Sequence, residues 1–306
     1  MNITRRQFAQ ASLAVGTLSA VVGPAALAGA NDLIRKVIPS SGEKIPAIGL
    51  GTNRYGRAMT EETRAPLRAA LQRFHELGAS VIDTAPAYRA SETVLGDLIA
   101  ELGIRNDLFI ATKTDKSGDH DESKSQMKDS ARKLKTEIFD LMQVHNVRGW
   151  QQMLPVMREW QQDGRIRYIG ITTSRQHQYE ELEKAMRSEE LDFIQVNYSL
   201  EQRESAERLL PLAADRGIAV MINRAFGGGR IFDKVGKQAL PDWAAEFDCA
   251  SWAQFLLKYA ISHPAATVAI PGMTKANHVD DNLGAARGRL PSAKERMKME
   301  AFFEAL

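Results

Sequence analysis

Four side chains in this sequence have the types and spacing needed to protonate and orient a carbonyl group. Asp83 closes the short apolar run 80–83, and Tyr88 follows it across Thr84, Ala85, Pro86 and Ala87. Lys113 ends the run 108–113 and His145 ends the run 139–145. Taken singly, each has an ordinary explanation. An aspartate at a strand end caps a turn, a tyrosine after proline packs, a lysine is solvated, and a lone histidine sits satisfied in a core. Together they meet one chemical need. Reducing an aldehyde or ketone requires a hydride at carbon and a proton at oxygen. A phenol, with an ordinary pKa of about 10, supplies the proton more readily beside an ammonium that lowers that pKa. Lys113 is the candidate ammonium, Asp83 the carboxylate that holds it, and Tyr88 the acid. His145 is suited to hydrogen-bond the carbonyl oxygen and stabilise the charge developing there. No side chain carries a hydride, so a cofactor must bring it.

Residues this far apart in sequence converge only if regular elements deliver them. Apolar runs over 44–52, 81–83, 108–113, 139–145, 166–172, 192–197, 218–223 and 267–270 predict eight strands. Between them lie helical patterns over 61–77, 91–99, 123–136, 150–162, 176–187, 205–216 and 251–262, with two more over 276–286 and 292–305. In the first, Leu67, Ala70, Leu71 and Phe74 recur at helical spacing, and Ser91 is a candidate N-cap for the second. Runs apolar at nearly every position mark strands buried on both faces, hence parallel ones. Eight strand–helix units close a barrel. An open doubly wound sheet would carry a glycine-rich fingerprint after an early strand, and Gly49-Leu50-Gly51 lacks the third glycine. The expected fold class is therefore α/β, a (β/α)8 TIM barrel, with its active site where the strands end.

Composition narrows the function classes. The chain has 306 residues, 44% hydrophobic and 25% charged, enough for one barrel without staples. Its formal charge of +2 comes from Arg5 and Arg6 and vanishes without the leader, which leaves no electrostatic case for nucleic acid or an anionic membrane. Cys249 is the only cysteine, the six histidines are dispersed, and no zinc-type spacing or G-x-S-x-G elbow occurs. At the start, Thr4-Arg5-Arg6-Gln7-Phe8 precedes an apolar, small-residue run over 11–27. This reads as a twin-arginine signal over 1–30, followed by a barrel over 31–306. An ordinary secretory signal and an uncleaved leader are the alternatives. The twin-arginine reading makes the export machinery a partner and the periplasm the destination, with no stable membrane insertion of the mature chain.

The segments around the four groups resemble the aldo/keto reductases. Val81-Ile82-Asp83-Thr84-Ala85-Pro86-Ala87-Tyr88, Ala111-Thr112-Lys113 and Gln143-Val144-His145-Asn146 are similar to the family's Asp–Tyr–Lys–His tetrad segments. Also similar are Gly49-Leu50-Gly51-Thr52, the run 164–170 and Gln195-Val196-Asn197-Tyr198, so the resemblance covers about 45–286. It implies reduction of a small-molecule carbonyl by NADPH, with NADH as the alternative donor. It also implies Thr52 and Asn53 beside the nicotinamide and Thr172, Thr173 and Gln195 against its carboxamide. After strand seven, where many members carry an aromatic, this chain has Asn223-Arg224-Ala225-Phe226; Arg224 and the backbone amides of Gly227–Gly229, beside Phe226, are expected near the pyrophosphate, the alternative being a surface arginine and a flexible glycine loop. At the adenosine end, Lys275 is expected on phosphate, His278 stands where many relatives have arginine, and Asp281 and Asn282 face adenine. Tyr55, Trp150, Phe226 and Trp243 are candidates to line the substrate pocket. A second reading is a nucleotide-binding, redox-sensing barrel that acts through a protein partner with little turnover.

Overall fold

The computed structural model describes residues 32–116 and 120–306; the expected leader over 1–30 lies outside the described residues. The chain enters through a two-stranded antiparallel hairpin, β1 (Arg35–Val37) and β2 (Lys44–Pro46). Eight parallel strands follow: β3 (Leu50–Gly51), β4 (Val81–Asp83), β5 (Phe109–Thr114), β6 (Phe139–His145), β7 (Ile166–Thr172), β8 (Phe193–Asn197), β9 (Ala219–Asn223) and β10 (Ala266–Ala269). They pair in strict sequence order. Parallel bridges from Ile48 to Ala269 and from Gly51 to Gly272 bring the first strand against the last and close the barrel. Helices α1 (Glu61–Glu76), α2 (Ser91–Leu102), α3 (His120–Leu134), α4 (Trp150–Gln162), α5 (Tyr179–Ser188) and α6 (Ser205–Asp215) form the outer ring. The ring continues with α7 (Arg230–Val235), α8 (Trp252–Ser262), α9 (Ala276–Gly284) and α10 (Ala293–Glu304).

The expected first strand over 44–52 divides in two. Its opening residues pair backwards with β1, and only Leu50 and Gly51 join the barrel. Glycine is required at this seam because a Cβ on Gly49 would lie 2.8 Å from the Val81 carbonyl oxygen, and one on Gly51 2.7 Å from that of Ile270. The excursion before α8, expected as loop, carries the short α7 and a 3-10 turn over Asp242–Phe247.

Strand residues alternate between two apolar compartments, as a period of two demands. Val81, Phe109, Ala111, Leu141, Tyr168, Phe193, Ala219 and Met221 point into the barrel with Ile38 and Ile45, which plug it from the hairpin side. Phe109, Tyr168 and Phe193 form the floor, their ring centroids about 6 Å apart (5.8–6.1 Å). Ile82, Ile110, Met142, Ile169 and Ile194 face outward into the larger core against the helices. Followed upward, the inward parity reaches Asp83, Lys113, Gln143 and Gln195, so a buried polar layer tops the apolar filling at the end of the strands.

Candidate active site

Lys113 is 1% exposed, and its ammonium makes three short hydrogen bonds, to Asp83 Oδ1 (2.7 Å), Asp83 Oδ2 (2.8 Å) and the Thr84 carbonyl oxygen (2.7 Å). β4 and β5 are neighbours, and Asp83 pairs in register with Ala111, which sets the carboxylate beside the ammonium. Burial is the largest effect on Lys113 and works against its charge, but the Asp83 carboxylate and the Tyr88 phenol together outweigh it and raise the lysine pKa above its ordinary value. Tyr88 sits over this pair, with the Lys113 nitrogen 5.1 Å from its ring centroid. His145 closes the group, its ring edge-on to Tyr88 with centroids 6.3 Å apart. The four side chains predicted to converge do converge.

Their electrostatics differ from expectation in one respect. Lys113 does pull the Tyr88 pKa down, but burial of the phenol is the larger effect, and the pKa stands above its ordinary value. The group is thus held as the protonated acid. His145 is driven down to about 4, first by burial and then by the Lys113 charge, so the imidazole is neutral at physiological pH.

Two amides steady the carboxylate. Gln195 Nε2 donates to Asp83 Oδ1 at 2.9 Å, and Gln143 Nε2 lies 3.4 Å from the same oxygen. The Thr172 hydroxyl donates to Gln195 Oε1 at 2.9 Å and so fixes which end of that amide faces Asp83. Gln143 was not anticipated, although its position two residues before His145 on β6 gives it the same inward parity. Three buried amide oxygens at this level, Gln143 Oε1, Asn197 Oδ1 and Asn223 Oδ1, have no partner among the described residues. Unmet buried acceptors are costly, and here they cluster at the ends of β6, β8 and β9, around the mouth.

Comparison with known proteins agrees with this geometry. A model of the aldo/keto reductase family matches residues 47–299. The chain belongs to this family. The aldo-keto reductase YhdN of Bacillus subtilis (strain 168) is 30% identical over 224 residues, covering 66% of this chain and 64% of that protein, both just under two thirds. The methylglyoxal reductase YeaE of Escherichia coli (strain K12) is 28% identical over 275 residues, 88% of this chain and 95% of its own length. Among solved structures, an aldo-keto reductase from Klebsiella pneumoniae in complex with NADPH aligns with a TM-score of 0.69 at 25% identity, covering 89% of this chain and 95% of that one.

As an aldo/keto reductase, the chain should hold a nicotinamide cofactor across the barrel mouth, and its residues fit one in part. Asn197 and Asn223 offer buried amide oxygens without donors, suited to a carboxamide NH2. They are better placed for this than two of the expected residues. Gln195 is engaged at both ends, by Thr172 and by Asp83. The Thr173 hydroxyl donates to Gln178 Oε1 (2.6 Å) and accepts from the Arg175 amide (3.0 Å), so it organises the loop after β7. Thr52 lies buried under the site with its hydroxyl on the Asp83 carbonyl oxygen (2.9 Å), while Asn53 is exposed at the rim. Ser91 is not a cap; its hydroxyl donates to the Thr52 carbonyl oxygen at 3.0 Å and ties α2 to the site.

The remaining positions divide. Arg224 is exposed on the loop after β9, with a left-handed φ of 50°. Phe226 packs edge-on to Phe232 at 5.1 Å. A Cβ on Gly227 would collide with the Glu201 carboxylate, so this glycine makes room for a side chain of the loop after β8. Lys275 and His278 are exposed at the start of α9 and free to meet phosphate, and Asn282 is buried on the same helix. Asp281 lies on this helix too, its Oδ1 accepting from Ser251 (2.6 Å) and Gln254 (3.0 Å), which binds α9 to the start of α8. Tyr55 is also a packing residue, fully buried with its hydroxyl on the Met273 carbonyl oxygen at 3.1 Å. Trp243 packs edge-on to Phe247 and Phe302 and tilted against Phe255 in the helix layer, and Trp150 donates to Glu181 at 2.7 Å.

Proposed function

We propose that this protein reduces small aldehydes or ketones to alcohols with NADPH, Tyr88 acting as the general acid. The observation that carries the reading is the buried Lys113–Asp83 pair directly beneath a protonated phenol and beside a neutral imidazole. The nicotinamide, when bound, supplies the hydride. Tyr88 holds its hydroxyl proton toward the carbonyl oxygen and releases it as charge develops there. The adjacent Lys113 ammonium stabilises the phenolate that remains, and Asp83 keeps the ammonium charged and in place. His145, neutral, donates one ring N–H to the same carbonyl oxygen and fixes its orientation without adding a competing acid. Family membership and the NADPH complex of the Klebsiella relative support the cofactor, and the exposed Lys275 supports a phosphate-bearing one. The Arg5-Arg6 motif supports action in the periplasm after twin-arginine export.

The test is NADPH oxidation by the purified protein over a panel of carbonyl compounds, beside fluorescence titrations with NADPH and NADH. Tyr88→Phe is expected to lower kcat by roughly 10²- to 10⁴-fold, the usual contribution of a positioned acid, while NADPH affinity changes little. Full activity in that variant would end the assignment.

A further inference from the structure

We propose that the carbonyl substrate is anionic, a small aldehyde or ketone bearing a carboxylate or phosphate, and that Arg89 and Arg148 hold its charge at the mouth. The inference rests on the reductase reading above and adds the charge of the substrate to it.

The loops that follow the barrel strands carry Arg54, Arg57, Arg89, Arg148, Arg175 and Arg224, all on the face where the tetrad lies and all but Arg57 outside any helix or strand. Each is exposed, and none of their guanidinium groups has a hydrogen-bond or ion-pair partner among the described residues. Away from the mouth the pattern reverses. Arg64 holds Asp97, Arg68 holds Glu61, Arg73 holds Asp280, and Arg105 and Arg167 share Asp140. Two acids on the same face have partners of their own. Glu201 is bound by Arg230 at 2.9 Å, and Asp115 accepts from Gln126 at 2.7 Å. One face of the barrel therefore gathers guanidinium groups that are not held in ion pairs among the described residues. Such a field favours an anionic ligand and speeds its arrival.

A dinucleotide is itself anionic, so the arginines must be divided between cofactor and substrate. Strand order makes the division. Arg175, Arg224 and Lys275 follow β7, β9 and β10, the sector of the candidate carboxamide acceptors Asn197 and Asn223. Arg89 and Arg148 follow β4 and β6, which carry Asp83 and His145. Arg89 is the residue directly after Tyr88, with a left-handed φ of 58° that a non-glycine residue adopts only at a cost. Arg148 is in the turn whose amide bonds back to the His145 carbonyl oxygen (3.4 Å), and its charge helps to keep that imidazole unprotonated. A carbonyl seated between Tyr88 and His145 would thus lie between the two loops that carry these arginines, whose guanidinium groups are planar forks matched to a carboxylate or phosphate.

The experiment compares kcat/KM for charged and neutral substrates of matched size: succinic semialdehyde against butanal, and glyceraldehyde 3-phosphate against glyceraldehyde, each with NADPH and the full mature chain. At low salt the charged member of at least one pair is expected to be favoured by about tenfold or more, with the advantage shrinking as added salt screens the mouth. A preference confined to one pair identifies the anion as carboxylate or phosphate. Arg89→Gln and Arg148→Gln are each expected to cut that preference about three- to tenfold, mainly through KM, because the contact is made equally in the ground and transition states. Thermal melts establish that both variants are folded, and the wild-type comparison stands without them. Equal turnover of charged and neutral members, or a preference unmoved in the double variant, overturns the proposal alone. Inactivity on every member overturns the reductase reading and the proposal with it.

Discussion

A neutral His145 beside a charged Lys113 fixes how activity should respond to pH. With its pKa near 4, the imidazole changes charge well below the range in which an ordinary histidine of pKa 6.5 titrates. Between about pH 5 and about pH 8, kcat/KM for reduction of a neutral carbonyl should therefore show no inflection, since neither His145 nor the phenol changes protonation there. Activity should fall only on the alkaline side, as Tyr88 loses the proton it must donate. An acid limb near 6.5 would mean the imidazole is solvated and not part of the pocket. The inner polar layer also explains the tolerance for a buried charge pair. Asp83 Oδ1 receives Lys113, Gln195 and, at longer range, Gln143, so removing the carboxylate would strand an ammonium in an apolar barrel. Breaking such a pair from one side usually costs about 3–5 kcal/mol, which makes Asp83→Asn a stability variant as well as a catalytic one.

Between elements, the site depends on how closely one loop approaches another. Gly56, in the 3-10 turn Tyr55–Arg57 after β3, packs so tightly against the loop carrying Tyr88 that a Cβ would collide with the Tyr88 carbonyl oxygen and come within 2.9 Å of the Ala90 and Ser91 amides. Gly96, in the middle of α2, is equally crowded, but by Lys133 and Leu134 of α3, in the outer ring. The two alanine substitutions separate catalysis from stability. Gly56→Ala should push Tyr88 off its position and lower kcat by about tenfold or more, because small misplacements of a reacting group are costly. Gly96→Ala should lower the melting temperature through overpacking worth about 1–3 kcal/mol while leaving kcat of the folded fraction unchanged. Steady-state kinetics beside thermal melts would distinguish them, and equal loss of kcat in both would show that Gly56 has no special link to the acid.

For the whole molecule, the leader and the barrel make separate claims. If Arg5 and Arg6 address the folded chain to the twin-arginine pathway, replacing both by lysine should leave the protein in the cytoplasm with its reductase activity intact, as cell fractionation would reveal. Undiminished export of that variant would favour an ordinary secretory signal. The barrel itself was largely legible in the sequence. β6 and β7 occupy the residues their apolar runs mark, and Asp83, Lys113 and His145 stand at or near strand ends because hydrophobic runs stop where polar function begins. Such runs record burial, and burial is what a sequence states most directly. The partners of each polar group were not legible. That Gln195 spends its amide on Asp83, that Ser91 binds Thr52 in place of capping a helix, and that Asp281 secures α8 all follow from register between strands and from the closing of the barrel. Types and spacing alone determined which residues could do chemistry and on which face they would lie. Only the folded chain decided which donors are free and which are spent, because a hydrogen bond depends on distances between segments that the sequence leaves far apart.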